Sequence, residues 1–204
     1  MMTDFAKLMN DYFVKYLAGQ KGSGSNTMKT YRDTFVQLLE FMDEKKHIRA
    51  DCIEVDSFSY DIINEFLEYL EKEKGVSIST RNNRLAAIRS FFKYTGYHEP
   101  KYLNISASIR EISKKKTEGR QMNYLSVNAM EHFLNSFDKT DHKELRCFCI
   151  VLLLYESGAR VTELCNVRRY DLHLEKPYTI ILHGKGDKIR AVPLDGLVAD
   201  VISN

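Results

Sequence analysis

The sequence lacks any uninterrupted apolar run approaching the roughly 20 residues that cross a bilayer as a helix, so no membrane span is expected. Its opening, MMTDFAKLMNDYF, carries acids where a secretory leader carries a basic flank and an apolar block, and the cytoplasm is the expected location. Cysteine is scarce and unpaired in spacing: Cys52, Cys147, Cys149 and Cys165 contain no CxxC. The CxC at 147 and 149 falls in an apolar helical run, where residues i and i+2 point to different faces, so a metal site is not expected. Buried free thiols are the expectation instead. Excess charge of one sign is missing as well, since 30 basic residues face 28 acidic ones for a net +2. That total identifies no partner.

The distribution of charge says more. Between Ser79 and Arg120 there are ten Lys and Arg against three acids, a stretch where a polyanion could be held. Apolar residues make up 44% of the 204, enough for one large core or two small ones. The first third reads as helices. FAKLMNDYFVKYL is interrupted by GQKGSGS, and TMKTYRDTFVQLLEFMDEK follows with Tyr31, Phe35, Leu38, Leu39 and Met42 on one stripe and Ser25 or Asn26 as cap. SYDIINEFLEYLEKEKG opens at Ser59 and stops at Gly75, and STRNNRLAAIRSFFKYTG is bounded by Ser79 and Gly96. From Pro100 to Met122 periodicity fades into a polar, basic, glycine-containing stretch that reads as a linker.

A second domain opens at YLSVNAMEHFLNSF, capped by Ser126. Next comes DHKELRCFCIVLLLYESG, where Asp141 and Glu144 have capping-box spacing and the apolar richness predicts burial on most sides. After Asn166 the pattern shortens to β-like runs. YTIILHG and IRAVPL flank the glycine-containing turn GKGDK, a hairpin signal, and a first strand near 170–174 would complete a three-stranded sheet. The fold class is therefore mainly α with a small antiparallel β-sheet.

Two cations stand out. In LLLYESGARVTELCNV the helix stops at Gly158, and Arg160 precedes a second apolar turn. Arg160 could form a surface ion pair with Glu163 at i+3, could pack or cap without a ligand, or could grip a phosphate at a helix N-terminus with its planar fork. Lys185, between Gly184 and Gly186 at the hairpin tip, could equally be a solvated charge.

The combination of SGARVTEL, a spacer of about 20 residues, a strand and GKGDKIRAVPL resembles the tyrosine recombinases, the family of phage integrases and Xer-like enzymes. The likeness continues upstream in SGSNTMKTYRDTFVQLLEFM, in STRNNRLAAIRSFFKY and in YLS at 124–126, so it spans about Phe5 to Leu194. It implies a SAM-like helical core-binding domain over 1–110, a basic linker over 111–122, and the first part of an α+β catalytic domain over 123–204. It maps a catalytic arginine onto Arg160, a catalytic lysine onto Lys185 and a supporting acid onto Glu163. The partner it implies is double-stranded DNA, which the two domains would hold as half of a clamp. Neither metal nor cofactor is implied. Lys29 and Arg32 on the second helix, with Arg81, Arg84, Arg89 and Lys93 on the fourth, are the candidates for DNA contact. The alternative for each is a solvated helix face.

The resemblance also implies an HxxR pair, a further His or Trp and a tyrosine nucleophile many tens of residues beyond the lysine hairpin. No HxxR follows the hairpin, and Tyr178 is the last tyrosine. The expectation is an N-terminal portion of a recombinase, inactive alone and monomeric, whose complete form works as a DNA-bound homotetramer through a 3′-phosphotyrosine intermediate. A non-catalytic DNA-binding regulator or architectural protein of the same descent is the alternative, with a helical protein-interaction scaffold as the plainest one.

Overall fold

The structure, a computed structural model, describes residues 2–117, 119, 123–186 and 188–203. It divides into two compact units, 1–120 and 121–204. The fold is mostly helical with one three-stranded antiparallel sheet, the class expected from the sequence.

In the first unit Thr3 accepts the Ala6 N–H at 3.2 Å and starts α1 (Asp4–Asp11), which widens into π-helical turns through Tyr12–Gln20. The long helix α2 (Ser25–Lys46) begins after Gly24 with no side-chain cap, so neither Ser25 nor Asn26 plays the expected part. Ser59 does cap α3 (Tyr60–Lys72), accepting the Ile62 N–H at 3.2 Å. The turn after α3 uses Gly75 at φ 64°, a left-handed conformation that side chains resist. Helix α4 (Ile78–His98) is capped by Ser77 and runs past both expected boundaries. Gly96 is not its stop. A Cβ there would lie 2.7 Å from the Ser106 Cβ, so the glycine lets α5 (Leu103–Glu111) pack directly on α4.

Helix α5 corrects the reading of 100–122 as linker. Its sequence LNISASIRE is polar, but Tyr102, Ile109 and Ile112 are buried in the same core as α1 to α4. That core is aromatic at its centre. Phe91 meets Phe5, Tyr12, Phe35 and Phe92 edge-on at centroid distances of 5.2–5.5 Å. Residues 118 and 120–122 of the expected linker lie outside the described residues.

The second unit has a smaller core of Leu153, Ile180, Leu182, Leu194 and Val198. Ser126 caps α6 (Val127–Asn135) and Asp141 caps α7 (His142–Ser157), accepting from Lys143 and Glu144. The capping box is not reciprocal, because Glu144 accepts the Asp138 N–H at 2.6 Å instead. Contrary to expectation, α7 buries only Phe148, Leu153 and Ser157, while Ile150 and Tyr155 are exposed. The thiols follow suit: Cys52, Cys147 and Cys165 are exposed and Cys149 is half-buried, so the expectation of buried cysteines fails. One packed face on α7 turns its other faces, Cys147 included, to solvent.

Gly158 ends α7 in the left-handed conformation at φ 58°, and α8 (Val161–Cys165) follows after two residues. The sheet runs β1 (Leu172–His173), β2 (Thr179–His183) and β3 (Ile189–Pro193) in that order, antiparallel throughout, before α9 (Gly196–Ser203). Leu182 pairs with Arg190 and Ile180 with Val192, which sets those four side chains on the core face. Among the described residues no helix is long and apolar enough to cross a membrane.

Candidate functional site

The site grows from the break between α7 and α8. Because Gly158 turns the chain out of α7, Arg160 arrives at the N-cap of α8 in extended conformation. Its backbone N–H donates to Glu163 Oε2 at 2.9 Å and its guanidinium donates to Glu163 Oε1 at 2.8 Å. The i to i+3 ion pair, one of the three readings open to Arg160, is therefore present. It is lopsided: the Arg160 side chain is 73% exposed and that of Glu163 only 3%. A carboxylate so deeply covered needs more than one partner.

The second partner comes from β3. Arg190 grips Glu163 with both terminal nitrogens, Nη2 to Oε2 at 2.7 Å and Nη1 to Oε1 at 3.2 Å. Sequence reading missed Arg190, although a signal was available. Alternation along IRAVP puts Arg190 on the inward face with Val192 and leaves Ile189 outside, and an inward arginine calls for a carboxylate.

The lysine turn stands on the same carboxylate. The Gly184 N–H donates to the Lys188 carbonyl at 2.7 Å, and Gly186 takes φ 75°. A Cβ on Gly184 would sit 3.2 Å from Glu163 Oε1 and 3.3 Å from the Lys188 oxygen, so glycine allows the turn to rest against Glu163. Lys185 follows directly and is exposed. Asp187 of the turn lies outside the described residues. Thus the structure brings Arg160, Glu163 and the base of the Lys185 turn together around one buried carboxylate.

The electrostatics follow from that packing. The Arg190 fork, then the Arg160 backbone amide and guanidinium, outweigh burial and hold the Glu163 carboxyl at about 2, below its usual 4.5. A depressed carboxyl binds fewer protons folded than unfolded, so its contribution to stability is complete above pH 4.5 and is lost as pH falls from there through about 2. Acid titration of the second unit followed by circular dichroism should show unfolding begin in that window. Glu163→Gln should flatten this part of the profile.

A second buried acid lies nearby in sequence. Asp171 accepts the Arg168 N–H at 2.8 Å and meets His183 Nε2 at 3.1 Å, and its carboxyl is lowered chiefly by the backbone bond. This pair ties the turn before β1 to the last residue of β2, just ahead of Gly184. Sequence reading missed it too. Among the described residues no group of three or more His, Cys, Asp or Glu is placed to hold a metal ion.

The six candidate DNA contacts of the first unit separate into two groups. Lys29, Arg32 and Lys93 are exposed on α2 and α4. Arg81, Arg84 and Arg89 instead donate to backbone carbonyls within their own unit, contacts that the sequence does not announce. Arg81 is 5% exposed and donates to the Ser113 carbonyl at 3.0 Å. Arg89 donates to the carbonyls of Arg110, at 2.7 Å, and Ile112. Arg84 donates to the Thr30 carbonyl at 2.9 Å and to Thr34 Oγ1. Arg110 stands in the last turn of α5 and Ile112 and Ser113 just beyond it, where carbonyls run short of helical donors, and Arg81 and Arg89 of α4 supply donors there. Asn82 completes the strap by exchanging two hydrogen bonds with the Lys115 backbone, at 2.8 and 3.1 Å.

Comparison with known proteins agrees with this architecture. Residues 11–96 match the phage integrase N-terminal SAM-like domain, and residues 123–204 match the phage integrase family. A putative integrase/recombinase y4rC of Sinorhizobium fredii is 28% identical over 199 residues, covering 98% of this chain and 60% of that protein. The tyrosine recombinase XerC of Staphylococcus carnosus is 27% identical over 194 residues, covering 95% and 62%. The chain thus spans about three fifths of these relatives' length. Among solved structures, the XerH site-specific recombinase bound to palindromic difH substrate aligns with a TM-score of 0.68 at 23% identity, covering 97% of this chain and 58% of that one. The Tn1549 transposon integrase in complex with circular intermediate DNA aligns at 0.65 and 20%, covering 100% and 64%. At those identities the likeness is one of fold.

Proposed function

The chain belongs to the phage integrase family, the tyrosine recombinases of the Xer type, and on that ground we propose that it binds duplex DNA and aims Arg160 and Lys185 at one backbone phosphate. The observation that carries this reading is the shared seat of the two cations. Arg160 projects into solvent from a buried Glu163, and the turn bearing Lys185 rests on the same carboxylate. Solved relatives of the same fold are described as DNA complexes, which supports the choice of polyanion.

The chemistry is strand breakage and rejoining without metal or nucleotide. In the complete enzyme a tyrosine oxygen attacks the phosphorus, the bond to the 5′-oxygen breaks, and a 3′-phosphotyrosyl link keeps the bond energy until another 5′-hydroxyl attacks. Negative charge builds on the non-bridging oxygens, where a fixed guanidinium that cannot deprotonate is most useful. Arg160 takes that role. Lys185 serves as general acid to the leaving 5′-oxygen, since an ammonium can release a proton and its glycine-flanked turn can close over a bound strand. Glu163 holds Arg160 in orientation. Lys29, Arg32 and Lys93 supply phosphate contacts from the first unit, and the complete enzyme works as a tetramer on DNA.

On this reading the nucleophile is not among the 12 tyrosines, the last of which is Tyr178, and these 204 residues alone are expected to form no covalent link to DNA. Fluorescence anisotropy with a labelled duplex between 50 and 200 mM salt should show affinity falling steeply, by about tenfold or more, as phosphate neutralisation demands. A nicked suicide duplex incubated with the same chain should yield no protein–DNA adduct. Salt-insensitive binding would remove the phosphate reading, and a trapped adduct would remove the assignment of inactivity.

A further inference from the structure

We infer that Arg190 is a positioning residue for the phosphate grip: it takes up the charge of Glu163 so that Arg160 is left free for a phosphate, and it fastens the lysine hairpin beside Arg160. The inference rests on the proposed role of Arg160 as a phosphate ligand.

The geometry divides the two arginines sharply. Arg190 presents its planar fork to both oxygens of Glu163, whereas Arg160 spends a single terminal nitrogen on Oε1. No other hydrogen bond to the Arg160 guanidinium occurs among the described residues, and its side chain is 73% exposed against 40% for Arg190. Two guanidiniums and one carboxylate leave a net charge of +1, and the exposed member carries it toward solvent. Without Arg190 the sum is zero. Glu163, buried and short of donors, would then draw Arg160 into the bidentate grip, and the cation meant for a phosphate would be neutralised where it stands.

Arg190 also acts through position. It lies on β3 opposite Leu182, and its guanidinium reaches the first turn of α8 from the strand that leaves the lysine turn. Gly184, at the other foot of that turn, lies so near the same Glu163 that a Cβ there would meet Oε1 at 3.2 Å. The carboxylate thereby fastens one foot of the hairpin through Arg190 and lies close under the other, and Lys185 inherits a fixed origin relative to Arg160. Glu163 held near 2 stays ionised throughout the physiological range, which keeps the fastening intact.

The test follows the Nε–Hε resonance of Arg160 in the full chain by heteronuclear NMR while inorganic phosphate is added. In the unsubstituted chain the resonance should move and saturate. Arg190→Gln should weaken that response about tenfold, the scale of a charge-assisted hydrogen bond. Glu163→Gln combined with Arg190→Gln should restore it, because no buried carboxylate remains to capture Arg160, and Arg190→Lys should fall between. Lys139→Gln, which removes one positive charge from the same unit outside the site, should leave it unchanged. A purely structural Arg190 would make the double substitution no better than the single one. That outcome, or an unaltered response in Arg190→Gln, overturns the inference while leaving the phosphate reading in place. No movement in the unsubstituted chain overturns the phosphate reading itself and the inference with it. Should Arg190→Gln fail to fold, the double variant carries the test: an Arg160 response matching the unsubstituted chain supports the inference, and its absence ends it.

Discussion

Phe91→Ala should destabilise the first unit by about 3–5 kcal/mol and lower its thermal midpoint by about 10–20 °C. Phe91 is fully buried on α4 and makes edge-on contacts with Phe5 of α1, Tyr12 of the π-helical turns, Phe35 of α2 and Phe92. It is therefore the side chain through which three helical segments meet. Truncation removes the transfer free energy of the ring, leaves a cavity among stiff aromatic neighbours that cannot easily collapse, and forfeits four quadrupolar contacts. A loss of that size is a large part of the total stability of about 5–15 kcal/mol typical of a domain. Calorimetry on the chain and on Phe91→Ala decides the matter, with Phe91→Leu expected to recover part of the difference by filling some of the void. A shift of only a degree or two would mean that Phe91 is not the keystone of this core and that the packing around α4 differs from that described.

The parts of this molecule that sequence reading caught are those where a single local rule suffices. Ser59, Ser126 and Asp141 cap helices because a short polar side chain before an apolar run satisfies orphan amides. The β2–β3 hairpin is legible in GKGDK between two alternating runs, and the proximity of Arg160 to Glu163 in their i to i+3 spacing. What escaped depends on contacts distant in sequence. Helix α5 is hidden by its polar composition, since Ile109 is the one fully buried large apolar side chain among its nine residues, with Ile105 packed partly buried on the same core. Gly96 looked like a stop when it is a crossing point, because nothing local announces Ser106. The carbonyl contacts of Arg81, Arg84 and Arg89 are equally hidden, since helical periodicity tells which residues share a face but not whether solvent or another backbone lies over it. The exposed thiols and apolar residues of α7 show the converse error, in which apolar richness suggests burial on most sides.

If the proposed role of Arg160 holds, Arg160→Ala in a cleavage-competent form of the protein should lower the rate of strand cleavage about 10²- to 10³-fold, the effect of removing one preorganised donor worth roughly 3–4 kcal/mol in the transition state. Duplex affinity should change much less, because a contact that strengthens as charge develops contributes little to the ground-state complex. The fold should tolerate the substitution. Arg160 is largely exposed, its backbone N–H still reaches Glu163, and Arg190 keeps both oxygens of that carboxylate engaged. Arg160→Lys should retain part of the rate, since the positive charge remains while the planar fork is lost. Single-turnover cleavage of a nicked duplex, read beside anisotropy at the same ionic strength, separates the two quantities. Loss of binding with unchanged cleavage per bound complex would make Arg160 a DNA-holding residue and leave the transition-state charge to be met by Lys185 and groups elsewhere. Equal losses in both would place the contact in the ground state as well, and the solvent-facing guanidinium would then be a clamp on the strand whose grip does not tighten during reaction.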